Sequence, residues 1–182
     1  MSAAKLHEVT TRLASVLRSS VRRSATAHGL KLVQLEALVY LASANRYSDM
    51  LAAVADYLGV TKGTVSKTLD ALAGRGLIEK LVDLEDARVV HCRPTPKGLA
   101  LVADAVPTPA LSELPKEEVE ASTAALLSLL RAMQAARGFR TFGECRTCRH
   151  FQRGRSGGVC GLTTEPLTQA DTRRICREHE AV

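Results

Sequence analysis

Three observations predict a mainly α-helical protein with one small β-wing. Residues Asp49 to Gly76 carry two apolar helical stripes parted by a single short turn. Two short stretches rich in Leu, Ile and Val, folded around a polar turn, follow at once. Amphipathic helical patterns flank this centre on both sides, and a small cysteine-rich segment closes the chain.

In chain order, Leu6, Val9, Leu13, Val16, Leu17 and Val21 mark Lys5 to Arg23 as one amphipathic helix, with Arg12, Arg18, Arg22 and Arg23 on its other sides. A first helix of this kind packs against a partner. Gly29 ends the region, and His28 beside it reads as a helix-end cap rather than a ligand. Leu32, Leu35, Leu38, Val39 and Leu41 then define a second helix, up to a loop at Ser43 to Ser48.

Within the central stretch, Leu51, Val54, Ala55 and Leu58 recur at three- and four-residue spacings, as do Val65, Leu69 and Leu72. Each half therefore has one face to bury, which makes the pair a helix-turn-helix. Gly59 can close the first helix in the left-handed conformation, and Thr61 can cap the second. Lys62, Gly63, Thr64, Ser66, Lys67 and Asp70 remain outward on the second helix. That face is small, polar and mostly basic, as a helix entering a DNA major groove must be: hydroxyls reach base edges or phosphates, and lysines neutralise phosphate charge. An amphipathic pair that binds nothing has the same stripes, so the outward face carries the argument.

After Arg75 and Gly76, the run LIEKLVDLEDARVVHCRP reads as a β-hairpin turning at Asp83 to Asp86. Lys80, Arg88 and Arg93 lie where such a wing would reach the minor groove and backbone. Cys92 on its second strand reads as a small buried residue. From about Gly29 to Gly98 the chain resembles the MarR family of winged-helix regulators, in Gly29-Leu30 with Gln34, the helix-turn-helix, LAGRGLIEK, Asp83 with Asp86 and Arg88, and the closing Pro94-Thr95-Pro96-Lys97-Gly98. Ala87 stands where the family has the first of two wing-tip arginines, which leaves the minor-groove contact to Arg88. The resemblance implies a bacterial homodimer with interlocking terminal helices and recognition helices about 34 Å apart on a pseudo-palindromic operator in double-stranded DNA. It also implies a transcriptional regulator, read as a repressor, whose DNA-contacting residues are Thr61, Lys62, Thr64, Ser66, Lys67, Arg75 and Arg88.

Beyond the wing, Thr95 to Val106 reads as a helix with Leu99, Leu101 and Val102 apolar, stopped by Pro107 and Pro109. A long helix then starts at Leu114-Pro115-Lys116-Glu117-Glu118, with acidic residues in its first turn, and continues to about Arg137. Val119, Leu126, Leu127, Leu129, Leu130 and Met133 supply its apolar face, and Gly138 closes it. The organisation is thus an N-terminal dimerisation helix (1–28), a winged helix-turn-helix (29–98), C-terminal dimerisation helices (99–138) and an extension (139–182).

That extension holds Cys145, Cys148, Cys160 and Cys176, the first two as a Cys-x-x-Cys pair and the others arriving singly from loops. A segment with so few large apolar groups cannot bury a core, and a cytoplasmic protein does not keep disulfides, so the expected staple is a four-thiolate metal centre. Zinc is set slightly ahead of an iron–sulfur cluster, with thiol redox chemistry third. Arg146, Arg149, Arg153, Arg155, Arg173, Arg174 and Arg177 would balance its charge and could donate to its sulfurs. His150 and His179 are reserve ligands at most, since four thiolates complete a tetrahedron.

The composition fits this plan. Hydrophobic residues make up 46% of the 182-residue chain but aromatic ones only 3%, so dimer burial is needed to complete the core. The net charge of +6 suits a polyanion. No run approaches the length of a membrane span and no signal pattern opens the chain, so a cytoplasmic location is expected. No catalytic constellation is present, and the protein is read as a non-enzyme. The alternative is a redox or electron-transfer protein carrying an iron–sulfur cluster on a winged-helix scaffold used for protein contacts.

Overall fold

The computed structural model describes residues 2–105, 113–136, 138 and 140–182. Helix α1 (Ala3–Ala27) extends past both expected ends, because Ser2 caps its start by accepting from the Lys5 N–H, and His28 closes its end with the ring 2.8 Å from the Ser24 carbonyl. Helix α2 (Leu32–Ser43) begins where Gln34 reaches back to accept from the Lys31 N–H at 2.8 Å. Helices α3 (Leu51–Leu58) and α4 (Lys62–Gly74) are the expected pair. Gly59 joins them with φ +64°, a left-handed conformation that costs glycine little, and Thr61 caps α4 through the Thr64 N–H at 3.2 Å.

Strands β1 (Ile78–Val82) and β2 (Val90–Pro94) pair antiparallel, with Ile78 opposite Pro94 and Val82 opposite Val90. Helix α5 (Pro96–Ala105) follows, opened by the Thr95 hydroxyl, which accepts from the Gly98 N–H at 3.1 Å. The expected stop at Val106, Pro107 and Pro109 lies outside the described residues. Helix α6 (Lys116–Ala136) is the long C-terminal helix, closed by Gly138 at φ +63°. Arg137, where it was expected to end, also falls outside the described residues.

Helix α2 is the hub and packs against α1, α3, α4, α5 and β2. Its Leu35, Leu38, Tyr40 and Leu41 meet Val54 of α3, Val65, Leu69 and Leu72 of α4, and Leu77, Ile78 and Cys92 of the wing in one buried core. Each large aliphatic side chain there contributes roughly 1.5–3 kcal/mol. The outer helices are different. Leu6, Val9, Leu13, Val16 and Leu17 of α1 are exposed, and α6 buries none of its residues.

The extension is not a free appendage but folds onto α2 and α3. Strand β3 (Gly143–Glu144) pairs with β7 (Ile175–Cys176), and β4 (Phe151–Gly154), β5 (Gly157–Cys160) and β6 (Pro166–Thr168) form a second small antiparallel sheet. Cys160 and Cys176 therefore sit on strands, which corrects the expectation of loops. The segment manages without a large core partly by laying glycine on rings. A Cβ on Gly143 would fall 2.5 Å from the His179 ring, and one on Gly158 would fall 2.4 Å from the Phe151 ring. Phe142 then plugs the extension into the main body, with its ring centroid 5.2 Å from Tyr57 and 6.2 Å from Tyr40.

Candidate nucleic-acid interface and thiol cluster

The recognition face follows from how α4 buries Val65, Thr68, Leu69 and Leu72. Burying that stripe turns Lys62, Thr64 and Lys67 to solvent, with Ser66 half-buried at the edge. Thr61 and Thr64 bond to each other through their hydroxyls at 2.9 Å, so the cap also orients a residue expected to meet bases. Asp70 is taken by Lys80 of β1, an ion pair that joins helix to wing and draws this lysine away from the role expected for it on DNA. Arg93 is likewise engaged, 3.3 Å from Asp49.

Arg75 behaves differently from the rest of the expected set. Its guanidinium donates to the Gly29 carbonyl at 2.6 Å and the His28 carbonyl at 3.0 Å. These bonds spend its donors on the end of α1, tying the C-terminus of α4 to the first helix.

At the wing tip, Asp86 accepts from Arg88 Nε at 3.0 Å and from a terminal nitrogen at 3.1 Å, a two-pronged grip on a side chain that is 91% exposed. Asp83 instead accepts the Glu85 and Asp86 N–H groups, which builds the turn, and these bonds hold its carboxyl below the usual range. Its other oxygen lies 3.1 Å from His91 Nε2, while His91 Nδ1 contacts buried Asp49. Chiefly through the Asp49 bond, the His91 pKa is raised. The arrangement presents one exposed guanidinium, held by Asp86, beside a basic, hydroxyl-bearing helix face.

The second cluster lies at the seam between the extension and the loop joining α2 to α3. Cys145 and Cys148 end one tight turn, with the Cys148 N–H 3.0 Å from the Cys145 carbonyl. Cys160 stands opposite Phe151, whose N–H donates to the Cys148 carbonyl at 3.0 Å, and Cys176 stands opposite Gly143. Backbone pairing thus joins the three pieces of chain that carry these four cysteines. Asn45 Nδ2 donates to Cys145 Sγ at 3.4 Å. Hydrogen bonding from Cys145 holds the Cys176 pKa down to about 6 and pushes that of Cys145 up. All five cysteines are free, and Cys92 is buried in the wing as expected. Among the described residues, no three His, Cys, Asp or Glu side chains stand close enough to hold a single metal ion.

Four of the seven arginines expected beside the sulfurs pair with oxygen instead. Arg146 pairs with Glu144, Arg149 with Glu180, and Arg177 with Asp56, while Arg174 donates to the Ala44 carbonyl at 3.1 Å. Guanidinium groups meet carboxylates and carbonyls here because those oxygens are stronger acceptors than a thiol. His179 is buried with Thr141 on one ring nitrogen at 2.7 Å and Thr147 on the other at 3.0 Å. His150 faces Glu180 at 3.3 Å. Sequence reasoning missed Asn45, Ser48, Asp56 and the Tyr40, Tyr57 and Phe142 rings, which receive the extension. Only the polar loop around Asn45 gave any signal, and its partner lies a hundred residues away.

Comparison with known proteins agrees with this geometry. Residues 28–89 match the model of the MarR family. Transcriptional regulator PA3341 is similar at 26% identity and TM-score 0.59, over 71% of this chain and 98% of its own. CouR from Rhodococcus jostii RHA1, solved with p-coumaroyl-CoA, is similar at 20% identity and TM-score 0.55, over 68% of this chain and 90% of its own. A MarR regulator from Methanosarcina mazei Go1 is similar at 17% identity and TM-score 0.59, over 73% and 99%. These relatives are matched almost whole, yet each leaves more than a quarter of this chain without a counterpart. No curated protein matches the sequence. The fold is therefore the mostly helical winged helix of MarR regulators with additional small sheets. Among the described residues, no helix is long and apolar enough to cross a membrane.

Proposed function

We propose that this chain is a MarR-type transcriptional regulator that binds double-stranded DNA sequence-specifically as a homodimer, acting as a repressor on a pseudo-palindromic operator. The observation that carries the reading is the joint presentation of Lys62, Thr64 and Lys67 on α4 and Arg88 on the wing, with each of the two elements braced to the other through Asp70 and Lys80. A helix of small and hydroxyl residues fits the major groove, and one exposed arginine fits the adjoining minor groove. Dimerisation is supported by the exposed stripe of α1 and by α6, none of whose residues is buried among the described residues. Together they offer an apolar surface of the kind that marks an obligate interface.

The test is a comparison of selected operator and random DNA. Thr64→Ala should reduce discrimination by about 1–3 kcal/mol, and Lys67→Ala should weaken both DNAs alike. Equal loss on both DNAs for Thr64→Ala would overturn the recognition role of α4. The rival reading, an electron-transfer protein using this scaffold for protein contacts, leaves the basic face of α4 unexplained.

A further inference from the structure

We infer that Cys145, Cys148, Cys160 and Cys176 bind a thiophilic metal centre at the seam between the extension and the DNA-binding unit, and that DNA affinity depends on its occupancy. Residues 140–182 are ordered around these thiols and little else: their fully buried side chains are Cys145, Leu167, Thr172 and His179. That is too small a core to offset the conformational entropy of some forty ordered residues. Segments of this size are held by cross-links, and four cysteines on three paired pieces of chain can supply one. Soft thiolates select zinc or iron–sulfur chemistry. A lone zinc draws its four sulfurs to about 2.3 Å from one point. An iron–sulfur cluster takes the same four thiolates, so the donor set admits either centre. The Asn45 amide N–H on Cys145 Sγ is the kind of donor that tunes such a centre.

The coupling rests on the DNA-binding reading. The same short loop that opens α3 holds the ligand-bearing strand β7. The Asn45 N–H donates to the Ile175 carbonyl at 2.9 Å, and Ser48 Oγ accepts the Arg177 N–H at 2.8 Å. Tyr40 in turn donates to the Ser48 carbonyl at 2.9 Å from inside the core. Releasing the thiols frees this loop and, with it, the start of the helix that supports α4.

The experiment purifies the full chain without oxygen and measures zinc, iron and acid-labile sulfide, then repeats after reconstitution with zinc alone and with iron plus sulfide. Iron with matching sulfide, or one zinc per chain, supports the proposal and identifies the centre. No retained metal under any loading, or recovery of two disulfides in its place, overturns the centre. Cys160→Ser should lower retained metal at least tenfold while Cys92→Ser, in the buried wing, leaves it unchanged; an equal loss in both would overturn the ligand assignment. Stripping the metal should weaken operator binding severalfold. Unchanged operator affinity after stripping, in protein whose loaded form holds its metal, overturns the coupling alone, and failure of loaded and stripped protein alike to bind DNA sinks the DNA reading while leaving the centre standing.

Discussion

Arg177, one residue past Cys176, reaches out of the extension and places two guanidinium nitrogens 2.8 and 2.6 Å from a single carboxylate oxygen of Asp56 on α3. The first helix of the helix-turn-helix is thereby gripped by the last segment of the chain. Arg177 is mostly covered and Asp56 partly so, and the pair should contribute up to about 1 kcal/mol to docking. Arg177→Ala and Asp56→Ala should each speed proteolytic cleavage within residues 140–182, and the double variant should show little further effect. Additive losses in that cycle would mean that the two side chains act independently.

Arg88 gives a prediction read from salt dependence. Because it is held by Asp86 and otherwise exposed, Arg88→Ala should lower the slope of log affinity against log salt by about one unit. Asp86→Ala should weaken binding less, since it removes only the grip. A slope unaffected by loss of Arg88 would take the wing tip off the DNA.

His91 makes the wing pH-sensitive. Its pKa is raised by Asp49 first and Asp83 second, so the charged form is favoured in the folded protein. The stabilisation is fully present below the ordinary value of 6.5 and is lost as pH rises through the raised folded value. Hydrogen exchange at β1 and β2 amides should therefore quicken as pH climbs through that window, beyond the intrinsic change in exchange rate, and His91→Gln should flatten the response. Asp83 works in the other direction: its lowered pKa gives stability that is present above 3.8 and lost as pH falls through the depressed value.

Gly98 is a packing point with no slack. A Cβ there would stand 2.1 Å from the Leu77 carbonyl oxygen, which itself accepts the Thr95 N–H at 3.0 Å. Gly98→Ala should cost about 3 kcal/mol, the upper end for overpacking, by pushing α5 off the wing. Thr61→Ala, by contrast, should cost about 1 kcal/mol through the lost cap. Thermal unfolding of the two variants would separate these magnitudes, and similar losses would remove the clash argument.

The elements were legible where one local pattern decides them. Stripes at helical spacing located α1 to α4, and Gly59 and Thr61 acted at the ends where their chemistry placed them. What stayed hidden was pairing over long separations. Arg75 looks, in sequence, like one more cation beside a recognition helix, and only folding shows its guanidinium against the carbonyls of His28 and Gly29. The extension was legible as a separate cysteine-bearing segment but not as a docked body. Asn45, Ser48 and Asp56 receive it through hydrogen bonds that leave no periodic trace.

The long helix α6 spends 21 residues and buries none of them within its own chain. Helices in proteins draw most of their stability from packing an apolar face, and for α6 that packing is left to an encounter with another molecule. If that molecule is a second copy, maturation is a second-order process whose rate falls with the square of the concentration of new chains. A cell that halves its stock of this protein would then lose working dimers more than proportionally. The response to dilution would steepen before any effector acts.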